Sequence, residues 1–248
     1  MKQFRILLAL MLALMLCAGC AGSGAKVAKP TIDHPPYCAE ILEMLGKPLS
    51  EVLPALGLKA EDFTDNIKNG RWYILNEPVE FLGHQFELRL SVYGGDAESA
   101  AAVGVCYILK AETPEAGAEI TTDLRDKLLK GYGKAFNGAK HYSGNYEVEA
   151  TNPPSPLNTY TKEDLLKRFT EDDNPTGGSL EWLLSVDLSN VPSELLDATA
   201  YAGLRATCIT ATLSAAYPVT DVPESGETPH ALIRLVYGLS HSYRDLSK

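Results

Sequence analysis

Apolar and polar residues alternate without a break along Phe86-Glu87-Leu88-Arg89-Leu90-Ser91-Val92. That is the period-2 signature of a strand with one buried face. The same alternation runs through Leu180, Trp182, Leu184, Val186 and Leu188; through Ile209, Ala211, Leu213 and Ala215; and through Ala231, Ile233, Leu235, Tyr237 and Leu239. Arg71–Leu75 adds another apolar segment, and Val79–Tyr93 holds Gly83-His84, read as a tight turn. Val103–Ala111 is read as the returning antiparallel strand, and because both its faces are apolar it should be central. Between these runs the spacing changes to i, i+3, i+4, i+7. Cys38, Ile41, Leu42 and Leu45 predict one short helix, and Leu49, Val52, Leu53 and Leu56 a second that contains Pro54. Ile120, Leu124 and Leu128 predict a longer helix ending at Gly131, with Asp123, Arg125, Asp126 and Lys127 on its solvated side.

Thr161 and Asp164 have capping-box spacing and open a helix through Leu165, Leu166 and Phe169. Ser193–Ala202 reads as a short helix, Lys134–Tyr160 as a long connection rich in Gly, Asn, Ser and Pro, and Pro218–Pro229 as a loop. The predicted class is α+β: an antiparallel sheet of about six strands packed on one face by short helices. Helices precede a Trp-bearing strand in both halves, a loose repetition that suggests sub-modules at 37–134 and 160–248.

The N-terminus obeys a different grammar. Lys2 and Arg5 precede an apolar run, Ile6–Leu16, which is too short to cross about 30 Å of hydrocarbon at roughly 1.5 Å per residue. Residues 1–19 therefore read as a signal peptide. Ala18-Gly19-Cys20 resembles the lipobox of bacterial lipoproteins, with Cys17 where that family usually has an aliphatic residue. The resemblance implies a diacylglycerol on Cys20, removal of the preceding peptide, and a chain anchored to the membrane without spanning it. Residues 20–36 then read as a flexible tether and 37–248 as an extracytoplasmic α+β domain.

Removing residues 1–20 takes the formal charge from −10 to −12. An acidic surface repels phosphate backbones and anionic lipid heads, which argues against nucleic acid as a partner and leaves membrane attachment to the lipid.

The remaining cysteines, Cys38, Cys106 and Cys208, allow one bridge at most, and Cys106 and Cys208 sit in apolar runs as small buried hydrophobes. His34, His84, His141, His230 and His241 are scattered and read as tether, turn or solvated positions. No zinc-binding, nucleophile-elbow or phosphate-loop motif is present, so no catalytic, metal or cofactor residue is assigned. Ser23-Gly24-Ala25-Lys26 has the letters of a penicillin-binding motif, but a tether offers no rigid helix for it. Glu171-Asp172-Asp173-Asn174 lacks the ligand spacing of a calcium loop. Trp72, Tyr73, Trp182, Tyr217 and Tyr237 are either core or the lining of a concave sheet face that binds peptide or glycan.

Leu45-Gly46-Lys47-Pro48-Leu49-Ser50-Glu51-Val52, followed by a β-meander and a helix running into Tyr132-Gly133-Lys134, resembles small bacterial envelope lipoproteins. These include the β-lactamase-inhibitor-like fold and the small lipoprotein of the outer-membrane barrel-assembly machinery. A lipid-tethered domain without a catalytic constellation acts through contact, so the expected function is a lipid-anchored binding or accessory module on the extracytoplasmic side of the cell membrane, with an envelope protein or peptide as partner. No functional residue transfers with the resemblance. An envelope hydrolase with a carboxylate site, or the solute-binding lipoprotein of an importer, are the alternatives.

Overall fold

The computed structural model describes residues 32–65, 72–94, 99–135, 142–143, 146–147, 155–171, 176–198, 205–219 and 229–241. All of them lie within one unit, Ala28–Arg244. The signal peptide, Cys17, Cys20, the Ser23–Lys26 stretch, His141 and the acidic turn at 172–174 lie outside the described residues.

Two short helices, α1 (Cys38–Glu43) and α2 (Leu49–Ala55), lead into β1 (Phe63–Asp65), β2 (Trp72–Leu75) and β3 (Val79–Phe81). Next come β4 (His84–Tyr93), β5 (Ala101–Ala111) and the longest helix, α3 (Pro114–Tyr132). A two-residue-per-strand hairpin follows, β6 (Tyr142–Ser143) with β7 (Tyr146–Glu147). The remainder is α4 (Lys162–Glu171), β8 (Thr176–Ser185), α5 (Ser193–Ala198), β9 (Cys208–Val219) and β10 (His230–Ser240). The main sheet is eight-stranded in the order β1-β2-β4-β5-β10-β9-β8, with β3 also on β4, and its pairings are antiparallel.

The α+β class and the antiparallel sheet match the sequence reading, and β5 is central as its two apolar faces require. The strand count is higher than the six expected. Val79–Tyr93 folds back on itself at Leu82-Gly83, whose φ values of 52° and 82° fit the two-residue turn that right-twisted hairpins favour. Phe63–Asp65 is a further strand. Three residues are too few to display an alternation, so neither short strand stands out by pattern. At the other edge, β8 stops at Ser185, and Val186, read as a strand residue, is exposed. Ser185 Oγ and the Asp187 carboxylate bond instead to backbone N–H groups at Asp187 and Ser189, a turn that competes with the ladder.

The described helices bury their apolar stripes on one face. Phe86, Leu88, Leu90 and Val92 of β4 join Ile233, Leu235 and Tyr237 of β10 and Leu124 and Leu128 of α3 in one core. Thr113 caps α3, its hydroxyl accepting from the Ala116 N–H at 3.1 Å, and Pro114 supplies a first helical position that needs no donor. Gly117 lets the helix settle onto β10, because a Cβ there would fall 2.3 Å from that of Ala231. The capping box of α4 forms as read: the Asp164 carboxylate accepts from the Thr161 N–H at 3.0 Å, and the Thr161 hydroxyl accepts from the Asp164 N–H at 3.1 Å.

Arg125 corrects the sequence reading. Placed on the solvated side by its charge, it is buried, and its guanidinium donates to the Leu157 carbonyl at 3.3 Å and to the Tyr160 carbonyl. The aliphatic stem lies in the core while the head satisfies backbone acceptors of the connection before α4. Leu157, inside a stretch with no periodicity, is fully buried beside it. Cys38, Cys106 and Cys208 are buried and none of them is in a disulfide.

Candidate functional site

The sheet has a second face, and no described helix contributes to the apolar cluster on it. Cys106 and Ile108 of β5 and Leu232 of β10 form that cluster, with Trp72 and Val236 packed against it. Register builds this face residue by residue. Trp72 stands opposite Ser91 and Ile74 opposite Arg89; Arg89 is in turn opposite Cys106, and Glu87 opposite Ile108. On the other side of β5, Ile108 faces Arg234, Cys106 faces Val236 and Lys110 faces Leu232. Near the point where β4 exchanges β2 for β3 as its neighbour, an open trough of about 480 Å³ is lined by Ile74, Asn76, Gln85, Glu87, Ile108 and Lys110.

The polar groups of this face differ in how they are satisfied. Arg89 Nε donates to Glu87 at 2.5 Å, and the Thr64 hydroxyl donates to Asn76 at 2.9 Å. Arg234 is exposed and makes no ion pair among the described residues. Burial pushes the Cys106 thiol up to about 11, against the pull of the Arg234 and Arg89 guanidinia. That raised value favours the neutral thiol at neutral pH, and the side chain forms part of the apolar floor. An open face with an indole, guanidinia and aliphatic side chains is suited to contact with another molecule.

Two other polar clusters have structural work. Ile32 lies over α3 so closely that a Cβ on Gly131 would fall 2.4 Å from its Cγ2. His34 Nδ1 is 3.1 Å from the Tyr132 hydroxyl, which is 3.0 Å from that of Tyr237, and Tyr107 donates to the Pro36 carbonyl. Burial pushes the Tyr132 phenol to about 12, raises Tyr107, Tyr237 and the Cys38 thiol, and lowers His34 against the pull of Asp33 and Glu40. This set of neutral groups fastens residues 32–37 to the core. His34, read as part of a solvated tether, is therefore half-buried; one isoleucine among polar residues carries no period that would have signalled the docking.

The third cluster joins the β3–β4 turn to α3. His84 Nε2 is 2.7 Å from the Asp123 carboxylate, and Lys127 Nζ bonds to Asp123 at 2.7 Å and to the Leu82 carbonyl at 2.8 Å. Burial alone would raise Asp123, but Lys127 and His84 hold it below its ordinary value. A carboxylate depressed in the folded state stabilises above its unfolded pKa, and that stability disappears as pH falls through the folded pKa. We expect the advantage in melting temperature of wild type over Asp123→Asn to shrink as pH falls below about 4. Thermal melts of both proteins across that range check it, and a constant difference would show that the carboxylate's charge contributes nothing.

The aromatic residues proposed for a binding face separate by burial. Tyr73, Trp182 and Tyr237 are core, with Trp182 Nε1 donating to the Gly133 carbonyl at 3.0 Å, and Tyr217 packs on Phe169. Trp72 alone among them belongs to the face that no described helix covers. Nothing in the local sequence marks Arg234 as functional. It is a lone basic residue between Leu232 and Val236, on the face opposite Ile233 and Leu235. His230 is half-buried, with no partner for its Nε2 among the described residues. No group of three metal-ligating side chains converges among the described residues. Set against known proteins, the chain matches no family model, no curated protein and no solved structure.

Proposed function

We propose that the chain is a lipid-anchored extracytoplasmic binding or accessory module of the bacterial cell envelope, held to the membrane through Cys20 and acting by contact. The observation that carries the contact reading is the one-sided helix layer. The described helices cover one face of the sheet, while the other holds Trp72, Arg89 and Arg234 over a small apolar floor. The anchoring reading rests on the lipobox resemblance of Ala18-Gly19-Cys20. No described helix is long and apolar enough to cross a membrane. A hydrolase would need a carboxylate free to exchange protons with a substrate. Asp123, one carboxylate that lies beside a histidine, is held by Lys127 as well as by His84 at the hairpin.

Anchoring is tested by labelled-palmitate incorporation and detergent partitioning of wild type, Cys20→Ser and Cys17→Ser. Wild type and Cys17→Ser should take up label and partition with detergent. Cys20→Ser should take up none, because the thioether has no sulfur to form on. Soluble, unlabelled mature wild type would overturn the anchored reading.

A further inference from the structure

The basic residues of the face that no described helix covers gather on its central strands. On β4, β5 and β10 that face presents Arg89, Lys110 and Arg234 with the acid Glu87, while Glu80 on β3 and Glu181 on β8 stand at its flanks, in a protein of net charge −10. Arg89 is engaged with Glu87. Arg234 is exposed on the strand next to the central one, directly opposite Ile108 on β5 and Ser214 on β9, with Leu232 and Val236 two positions away on its own strand. Its surroundings are thus aliphatic or hydroxyl, and none of those four residues offers it a carboxylate. A guanidinium on a flat, partly apolar surface makes a strong, directional bond when a carboxylate meets it with water excluded. Arginine and tryptophan are also the side chains that most often dominate contact energy.

We propose that this face binds an acidic, partly apolar segment of a partner polypeptide, with Arg234 receiving a carboxylate and Trp72, Ile108, Leu232 and Val236 receiving the apolar side chains beside it. This deepens the contact reading above and rests on it. A polypeptide fits better than an anionic bilayer for two reasons. The net charge of −10 opposes approach to a uniformly negative surface, whereas one carboxylate needs only the exposed guanidinium of Arg234. The floor is also a row of side chains at strand spacing, which alternating side chains of an extended segment can match.

The test uses the ¹⁵N-labelled full-length chain in zwitterionic micelles, titrated with the acetylated, amidated peptide Leu-Glu-Leu-Glu-Leu. Saturable shifts are expected at the Arg234 Nε–H and Trp72 indole N–H resonances. Affinity should fall by about tenfold in Arg234→Gln and for the Leu-Gln-Leu-Gln-Leu peptide, and stay unchanged in Lys162→Gln on α4. Amide resonances away from the patch report that the Arg234→Gln chain is folded. No shift at Arg234 and Trp72, or equal affinity for Arg234→Gln, overturns the proposal. Micelles doped with phosphatidylglycerol in place of peptide form the second arm. If they move the same resonances as strongly, the occupant is a lipid surface and the polypeptide assignment falls. The palmitate experiment reads Cys20 alone, so loss of anchoring and loss of peptide binding would be told apart.

Discussion

Leu88→Ala should destabilise the protein by about 2 to 5 kcal/mol, while Arg89→Ala, one residue along the same strand, should cost under about 1 kcal/mol. Leu88 is fully buried among Phe86, Leu90, Tyr107 and the helix layer. Its truncation removes transfer energy and leaves a cavity that the sheet cannot close without bending. Arg89 faces the other way, with its side chain 23 % exposed and paired with a Glu87 that is 37 % exposed. An ion pair that accessible to solvent is screened, and each partner can find water instead. Urea unfolding of the two variants checks the contrast through the midpoint at unchanged slope. Equal losses would mean that the register of β4 on β5, Leu88 opposite Tyr107 and Arg89 opposite Cys106, is wrong.

Gly104→Val should cost roughly 3 kcal/mol, although valine is among the residues that strands prefer. Gly104 on β5 is paired with Gly238 on β10. A Cβ at Gly104 would fall 2.5 Å from the Tyr237 carbonyl oxygen and 3.0 Å from the Gly238 Cα. Both obstacles are backbone of a central strand, so no rotamer change relieves them, and the β5–β10 ladder must part locally. The comparison is Ser91→Val. Ser91 lies directly opposite Gly104 on β4 and is half-exposed, so its substitution should change stability by less than about 0.5 kcal/mol. Thermal and urea unfolding of both variants decide the matter. If Gly104→Val is no worse than Ser91→Val, the two strands are not as close there as described. The two halves of the chain meet at this ladder, β5 in one and β10 in the other, so its loss should also lower cooperativity.

Much of the architecture is legible in residue order because period reports burial locally. The alternation in Phe86–Val92 assigns each β4 side chain to its face, and the apolar character of both faces of β5 places that strand in the middle of the sheet. The Thr161–Asp164 pair marks the start of α4 because its bonds span three residues. The anchoring expectation is likewise a matter of a few adjacent letters, Ala18-Gly19-Cys20, which lie outside the described residues.

What sequence order leaves open is everything that depends on partners far along the chain. Arg125 resembles any exposed helix charge until the carbonyls of Leu157 and Tyr160, 32 and 35 residues away, close over its guanidinium. Three-residue strands such as Phe63–Asp65 take their conformation from the ladder they join, since they are too short to show a repeat. Tyr237 and Trp72 were equal candidates as binding aromatics. The helix layer buries the first, and the second packs against Cys106, Ile108 and Leu232 on the face that no described helix covers. Alternation says that a strand has two faces; which of them helices will cover is settled only when the chain is packed, because that choice is made by the summed burial of residues that local spacing cannot relate.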